Sequence, residues 1–175
     1  MDTQELVMDD PSHVAVAEAV STAGAPRATA RLIEYVSGGY FALPPHTTME
    51  IIEHPAIVAV PAGAYYTCGM LAWRGQYIPV IHIDTLLRAY QDSPVVTAPR
   101  YALVVAYQCA PNNPIKYGAL SLKALPETIE VGDESWCELP TSSDLWPLLS
   151  ISCFQYNKIG TPIVDTAKLF MSHHG

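Results

Sequence analysis

One stretch of the chain decides the fold prediction: Gly69-Met-Leu-Ala-Trp-Arg-Gly-Gln-Tyr-Ile-Pro-Val-Ile-His-Ile-Asp-Thr-Leu-Leu87. Arg74 and Gly75 lie between two strongly apolar runs. Because glycine tolerates positive φ, Gly75 permits a tight chain reversal, and we predict two strands joined by a hairpin. Pro79 cannot donate a ladder hydrogen bond, which places the second strand at an edge, a bulge or a strand start. Such a turn displays its arginine in a fixed place, which suits recognition of a partner better than catalysis.

A weak internal repeat extends outward from this stretch. Pro-Val-Ile at 79–81, with a helix start at Asp84, is echoed by Pro-Ile-Val at 162–164 and a helix start at Asp165. Tyr-Phe-Ala-Leu at 40–43 resembles Tyr-Gly-Ala-Leu at 117–120. The two aspartates are predicted N-caps of short helices. The repeat predicts two tandem copies of a small β unit, and closing such units into barrels removes exposed sheet edges.

Composition indicates a folded, β-rich protein. Half of the 175 residues are apolar and 15% are charged, and the 15 prolines and 10 tyrosines favour strands and turns. The net charge of −8 argues against binding to nucleic acid or to an anionic membrane, which needs a basic patch. No apolar run reaches the roughly 20 residues of a membrane span and no secretory signal is evident. We therefore expect a cytoplasmic protein that does not insert directly into membrane.

The four cysteines, at positions 68, 109, 137 and 153, form neither a CxxC pair nor a zinc framework. In a cytoplasmic protein we expect them to be reduced and mostly buried.

The predicted main domain covers residues 31–171 and follows an N-terminal extension, 1–30, that is poorly ordered or carries a short helix over 13–20. Residues 172–175 form a tail. Residues 132–147 are polar and rich in proline, so they are predicted to form a long loop. The tryptophans at 136 and 146 would cover the open end of a barrel from this loop.

Several motifs accompany the Arg-Gly turn: Tyr-Phe-Ala-Leu at 40–43, Met-Glu-Ile-Ile at 49–52, Val-Pro at 60–61, and Pro-Ile-Val-Asp at 162–165 with Leu-Phe at 169–170. Together with Gly69, the Trp-Arg-Gly of 73–75 and the Pro-Val-Ile of 79–81, they resemble the CheW family of chemotaxis coupling proteins over roughly residues 31–171.

The resemblance implies an all-β fold of two SH3-like, five-stranded β-barrels around a shared core, with short helices. It also implies a non-catalytic adaptor, without cofactor or metal, that couples the cytoplasmic tip of a chemoreceptor to the regulatory domain of a CheA-type histidine kinase. In that family the residues matching Glu50, Gly69 and Arg74 lie on or near the partner-facing surfaces. Trp73 and Gly75 complete the predicted protein-binding site, since Trp and Arg are enriched in interface hot spots.

Each side chain of this site has an alternative role within the fold. Arg74 could pair with a partner's carboxylate or brace its own turn. Glu50 could face solvent, contact a partner, or form a salt bridge that positions Arg74. Trp73 could lie at an interface or pack in the core.

The chain also departs from the family pattern. His82-Ile83 stands where the family has Asp-Leu, and Gly-Ala-Leu-Ser-Leu at 118–122 replaces Gly-Leu-Leu-Val-Asp. These departures leave open a second function: a CheW-like regulator of type IV pilus or twitching motility, or another binding module that has lost the kinase contact.

A catalytic or metal role has little support in the sequence. His82 and Asp84 lack an evident third metal ligand, and helix capping accounts for Asp84 and Asp165 without invoking acid–base catalysis. Nucleophile and phosphate-binding motifs are absent from the sequence.

Overall fold

The computed structural model describes residues 24–88 and 98–171. Within these residues the chain forms strands and three short helices, which follow one another in this order: β1 Arg27–Val36, β2 Gly39–Leu43, β3 Thr48–Glu53, β4 Ile57–Val58, β5 Thr67–Trp73, β6 Gln76–Ile81, α1 Ile83–Leu87, β7 Tyr101–Tyr107, β8 Lys116–Leu122, β9 Glu127–Gly132, α2 Trp146–Leu149, β10 Ser150–Tyr156, β11 Ile159–Val164 and α3 Thr166–Met171. Single 3-10 turns span Pro45–Thr47 and Asp133–Ser135.

The strands form two sheets, which confirms the all-β prediction. One is five-stranded, in the order β10-β11-β2-β1-β9, and the other is six-stranded, in the order β3-β7-β8-β6-β5-β4. The first sheet has the five strands that were predicted for each barrel. The second gains a sixth because the two residues of β4 pair with β5 at its edge.

The sequence repeat is present in the structure, but the two halves of the chain are interleaved. The Tyr-Phe-Ala-Leu strand β2 pairs in parallel with β11, through Ala42 and Ile163. The Tyr-Gly-Ala-Leu strand β8 pairs in parallel with β6, through Ala119 and Val80. Each sheet therefore takes its first hairpin from one half of the chain and its Pro-Val-Ile hairpin from the other. The repeat predicted that each half of the chain forms one barrel. This prediction is corrected, because the first hairpin of each half pairs with the Pro-Val-Ile hairpin of the other half.

A shared core joins the two sheets. Phe41 and Leu43 of the five-stranded sheet meet Leu103 and Val105 of β7 in one buried cluster, which also holds Trp146 of α2. Ala102 and Val104 point the other way, into a second cluster enclosed by the six-stranded sheet. Strand β7 is thus buried on both faces, which explains why its sequence is continuously apolar.

The domain begins earlier than the predicted residue 31. Arg27 to Ala30 already pair with β9, where Arg27 faces Gly132, and Ala30 is buried. The predicted helix over 13–20, most of the extension and the tail at 172–175 lie outside the described residues.

The segment 132–147 is less of a loop than its sequence suggested. It contains a 3-10 turn and the start of α2. Trp146 is only 1% exposed and packs edge-on against Tyr35 in the shared core, whereas Trp136 is 67% exposed. Trp146 therefore closes the core between the barrels, whereas Trp136 lines a groove beside Val131 and Phe154 of the five-stranded sheet.

Candidate partner-binding site

The β5–β6 hairpin ends in a two-residue turn at Arg74 and Gly75. Trp73 pairs with Gln76, and the turn residues have φ values of 46° and 76°. Positive φ at both positions is typical of a type I′ turn, whose twist matches that of the flanking strands. Gly75 meets this requirement without strain and Arg74 is held at the tip. The predicted hairpin is present, and it displays the arginine outside the barrel.

Two neighbouring side chains brace Arg74. The Nη2 atom of Arg74 lies 3.6 Å from Oε2 of Glu50, and the guanidinium carbon lies 4.6 Å from the centre of the Trp73 ring. The indole Nε1–H of Trp73 donates to the same Glu50 oxygen at 2.8 Å. The two charged side chains are 63% and 44% exposed. Exposed ion pairs and cation–π contacts are each worth only about 0.5–1 kcal/mol, so Arg74 is oriented yet remains available to a partner.

Trp73 acts from beneath the surface. It is 5% exposed, belongs to the core of the six-stranded sheet, and packs on Tyr117 with ring centres 4.8 Å apart. The expectation that Trp73 itself contacts a partner is therefore corrected. Its indole positions Glu50 and Arg74, and the core supplies the rigidity.

Gly69 is a backbone requirement of the site. It lies at a register shift in β5, has φ of 134° and is buried. A Cβ at this position would collide with the carbonyl oxygen of Val58 on β4. The close approach of two strands explains this glycine, and it presents no side chain to a partner.

Strand β3 contributes a row of exposed side chains. A register shift lies between Thr48 and Glu50, and Met49, Glu50 and Ile51 are exposed in succession. A bulge explains this departure from alternation, because it rotates the side chains that follow it. The exposed apolar residues Met49 and Ile51 thus flank the charged pair on the side of β3.

A groove of about 180 Å³ lies where the two sheets meet, and its walls combine residues from both: Arg31, Thr48, Met49, Glu50, Ile51, Leu103 and Pro126. The sequence could not indicate this groove, since its walls come from strands that are distant along the chain.

On the outer face of the six-stranded sheet, Val58 and Tyr77 are exposed by 60% and 68%. Val58 pairs with Met70 and Tyr77 with Ala72, two residues further along β5, so both exposed side chains lie on one face of the sheet.

His82, which departs from the family pattern, is the N-cap of α1. Its Nδ1 accepts the backbone N–H of Thr85 at 3.2 Å and lies 2.7 Å from the Thr85 hydroxyl. Because a backbone N–H can only donate, the ring is neutral with its proton on Nε2. Burial lowers the pKa of His82, Lys123 and Arg88 add to this effect, and Asp84 opposes it.

The prediction that Asp84 caps α1 is therefore wrong, because His82 is the N-cap. The predicted cap of α3 at Asp165 is present. Asp84 lies in the first turn of α1 and pairs with Arg88 at 2.8 Å. Asp165 accepts the N–H of Ala167 at 2.9 Å at the start of α3. Both aspartates have structural partners.

Within residues 24–88 and 98–171, three or more His, Cys, Asp or Glu side chains do not come together as a metal site. The helices of the same residues are too short and insufficiently apolar to cross a membrane.

Comparisons with known proteins agree with this architecture. A family model described as "CheW-like domain" matches residues 32–172. No curated protein matches the chain. Among solved structures, the scaffolding protein TtCheW from Thermoanaerobacter tengcongensis is similar, with a TM-score of 0.66 at 15% identity, over 86% of this chain and 97% of that chain. The fold is thus confirmed as two SH3-like barrels. On the family match across residues 32–172, the chain belongs to the CheW-like domain family.

Proposed function

We propose that this chain is a non-catalytic cytoplasmic adaptor that couples the tip of a chemoreceptor to the regulatory domain of a CheA-type histidine kinase. The observation that carries the proposal is the braced arginine: Arg74 stands on a rigid turn, oriented by Glu50 and by the buried Trp73. A guanidinium held in this way can meet a partner carboxylate with little loss of side-chain entropy.

The groove between the two sheets is the proposed receptor-binding surface. A helical segment of a partner can bind such a groove through apolar side chains on one face. Met49 and Ile51 supply apolar walls, and Glu50 and Arg31 supply charges of both signs along the rim. This combination of an apolar floor and a polar rim is typical of moderate-sized interfaces.

The outer face of the six-stranded sheet is the proposed kinase-binding surface. Val58 and Tyr77 are its exposed apolar residues, and Arg74 stands at the adjoining turn. Tyrosine and arginine are the residue types that most often dominate interface energetics. Glu50 lines the groove and Arg74 stands beside the outer face, and the two side chains form an ion pair. A movement at one proposed surface can therefore be transmitted to the other through this pair.

Titration of the purified chain with a CheA-type regulatory domain, with a receptor cytoplasmic fragment, and with both together tests the proposal. We expect each partner to bind separately and the three to form one complex by calorimetry and size-exclusion chromatography. Absence of kinase binding at high micromolar concentration would remove the kinase half of the proposal, and absence of receptor binding would remove the other half.

The alternative role in pilus motility rested in part on His82. His82 caps α1 at the opposite end of β6 from the Arg74 turn, and we propose that its substitution leaves the kinase contact intact.

A further inference from the structure

Two cysteines outside the proposed partner surfaces lie in direct contact. The Sγ atoms of Cys137 and Cys153 are 3.3 Å apart. The backbone N–H of Cys137 donates to the carbonyl of Cys153 at 3.2 Å, and the adjacent residues Trp136 and Phe154 form an antiparallel bridge. The two thiols are therefore cross-strand neighbours that the backbone holds together.

This backbone arrangement is compatible with a disulfide bond. Opposed residues in antiparallel pairs have Cα atoms about 4.5–5.5 Å apart, which lies within the roughly 4.4–6.8 Å range of disulfides. The remaining cysteines, Cys68 of β5 and Cys109 after β7, belong to the six-stranded half of the molecule and are free thiols. They provide matched controls.

A groove leads to one member of the pair, Cys153. It has a volume of about 290 Å³, and Cys153 lines it together with Trp136, Ile151 and Phe154. Trp136 and Ile151 are themselves well exposed, so the groove opens to solvent. Cys137 is itself only partly buried, so a small uncharged oxidant can reach the Cys137 sulfur, which reacts first.

We propose that Cys137 and Cys153 are an oxidisable dithiol that a small hydroperoxide converts into an intramolecular disulfide. The Cys137 thiolate attacks a peroxide oxygen, the O–O bond breaks, and water or an alcohol leaves as Cys137 becomes a sulfenic acid. The Cys153 sulfur loses its proton as it attacks the sulfenic sulfur, the S–O bond breaks, and a water leaves. The two thiols together lose two electrons, and one peroxide is reduced.

Burial of Cys153 slows formation of the disulfide. Burial, with the neighbouring Cys137, raises the pKa of the Cys153 thiol to about 12, so this thiol is protonated at rest and the second step is slow. Disulfides in cytoplasmic proteins are usually transient and sense oxidation, which agrees with a slow reversible reaction.

The disulfide would close the segment between β9 and β10, the two edge strands of the five-stranded sheet. Trp146 lies in this segment and packs in the shared core, and the Ser143 hydroxyl donates to the Leu87 carbonyl at the end of α1. Closing a loop of this length should raise Tm by roughly 6–12 °C. Oxidation would then stiffen the segment that places Trp146 in the core shared by the two sheets. The inference does not rest on the proposed partners.

Treating the purified full chain with hydrogen peroxide tests the inference by intact mass, peptide mapping and thermal unfolding. We expect a mass loss of about 2 Da, a single cross-linked 137–153 peptide, a raised Tm and reversal of all three by dithiothreitol. C137S and C153S should lose the cross-link and the Tm rise, while C68S/C109S should respond like wild type.

Three results would overturn the inference: sulfinic or sulfonic acid at Cys137 without a disulfide, a cross-link through Cys68 or Cys109, or a 137–153 disulfide that leaves Tm unchanged. The peptide map of the wild-type chain decides the first two, even if a serine variant does not fold.

Discussion

At the scale of single residues, the site depends on one carboxylate oxygen. Oε2 of Glu50 accepts the Trp73 indole N–H and faces the Arg74 guanidinium. The Arg-Gly turn made the display of Arg74 predictable from the sequence. The sequence could not show that Glu50 and Trp73 hold Arg74 in place, and this role was one of several alternatives. Glu50 lies 23 residues away from Trp73, and the two side chains meet only in the folded sheet.

Changing Trp73→Phe should keep the aromatic packing and remove the hydrogen bond to Glu50. We expect a loss of about 1–2 kcal/mol in the free energy of unfolding and a several-fold weaker partner affinity, because Glu50 no longer holds Arg74. Urea denaturation and titration with the kinase domain measure both. Trp136→Phe, at an exposed position, is the control and should change stability by less than about 0.5 kcal/mol. Unaltered binding by the Trp73 variant would show that the indole does not position the pair.

At the scale of elements, register shifts shape the site. The shift in β5 at Gly69 brings β4 close, and the shift in β3 exposes Met49, Glu50 and Ile51 in succession. An alternating pattern predicts the existence of these strands but not their irregularities, since a shift appears only when two strands pair. For this reason the sequence did not reveal that Gly69 is a backbone requirement beside the exposed Val58.

Gly69→Ala should be strongly destabilising. The methyl group has no room beside the Val58 carbonyl, and the φ of 134° strains any L-residue, so we expect a cost of about 3 kcal/mol. The matched control is Gly75→Asn, because nothing lies near a Cβ at Gly75 and asparagine tolerates positive φ in a type I′ turn. Denaturation midpoints compare the two. Equal, small effects would refute the close-approach explanation.

The cap of α1 makes stability depend on pH. The pKa of His82 is lowered in the folded state, so above about pH 6.5 the ring is neutral in both states and the cap contributes fully. Below about pH 6.5 the His82 ring is protonated in the unfolded chain but stays neutral in the folded chain. Stability should therefore fall, by at most about 1.4 kcal/mol per pH unit, until the lowered pKa is reached.

Denaturation of His82→Asn between pH 5 and 7.5 measures this term. Asparagine is a good N-cap that does not titrate, so the variant should lose this part of the pH dependence while α1 stays capped. His54→Asn, which removes an exposed imidazole, is the control. A pH profile of His82→Asn that overlays that of the wild-type chain would contradict the role of His82.

At the scale of the whole molecule, the two barrels exchange hairpins between the halves of the chain. The sequence repeat made two related units predictable. It could not show which hairpins pair, because β2 and β8 carry nearly the same motif and either could pair with either Pro-Val-Ile strand. The shared core at the junction, with Trp146 at its centre, resolves this ambiguity in the structure through contacts between distant strands.

The interleaving predicts how the chain behaves when it is cut. Cleavage between residues 89 and 97 yields two fragments that each hold strands of both sheets. Neither fragment should fold alone by circular dichroism, because each leaves half of the shared core uncovered, and mixing the two should restore the β signal. Independent folding of either fragment would contradict the interleaved arrangement.

The central claim is that Arg74, held by Glu50 and Trp73, binds a partner. The most direct test is the affinity of Arg74→Glu for the kinase regulatory domain, with circular dichroism to verify the fold. Lys158→Glu is the matched control, since Lys158 occupies the corresponding positive-φ turn between β10 and β11. We predict an unchanged fold in both variants and at least about tenfold weaker binding for Arg74→Glu only. Wild-type affinity of a folded Arg74→Glu variant, or an equal loss in Lys158→Glu, would contradict the account.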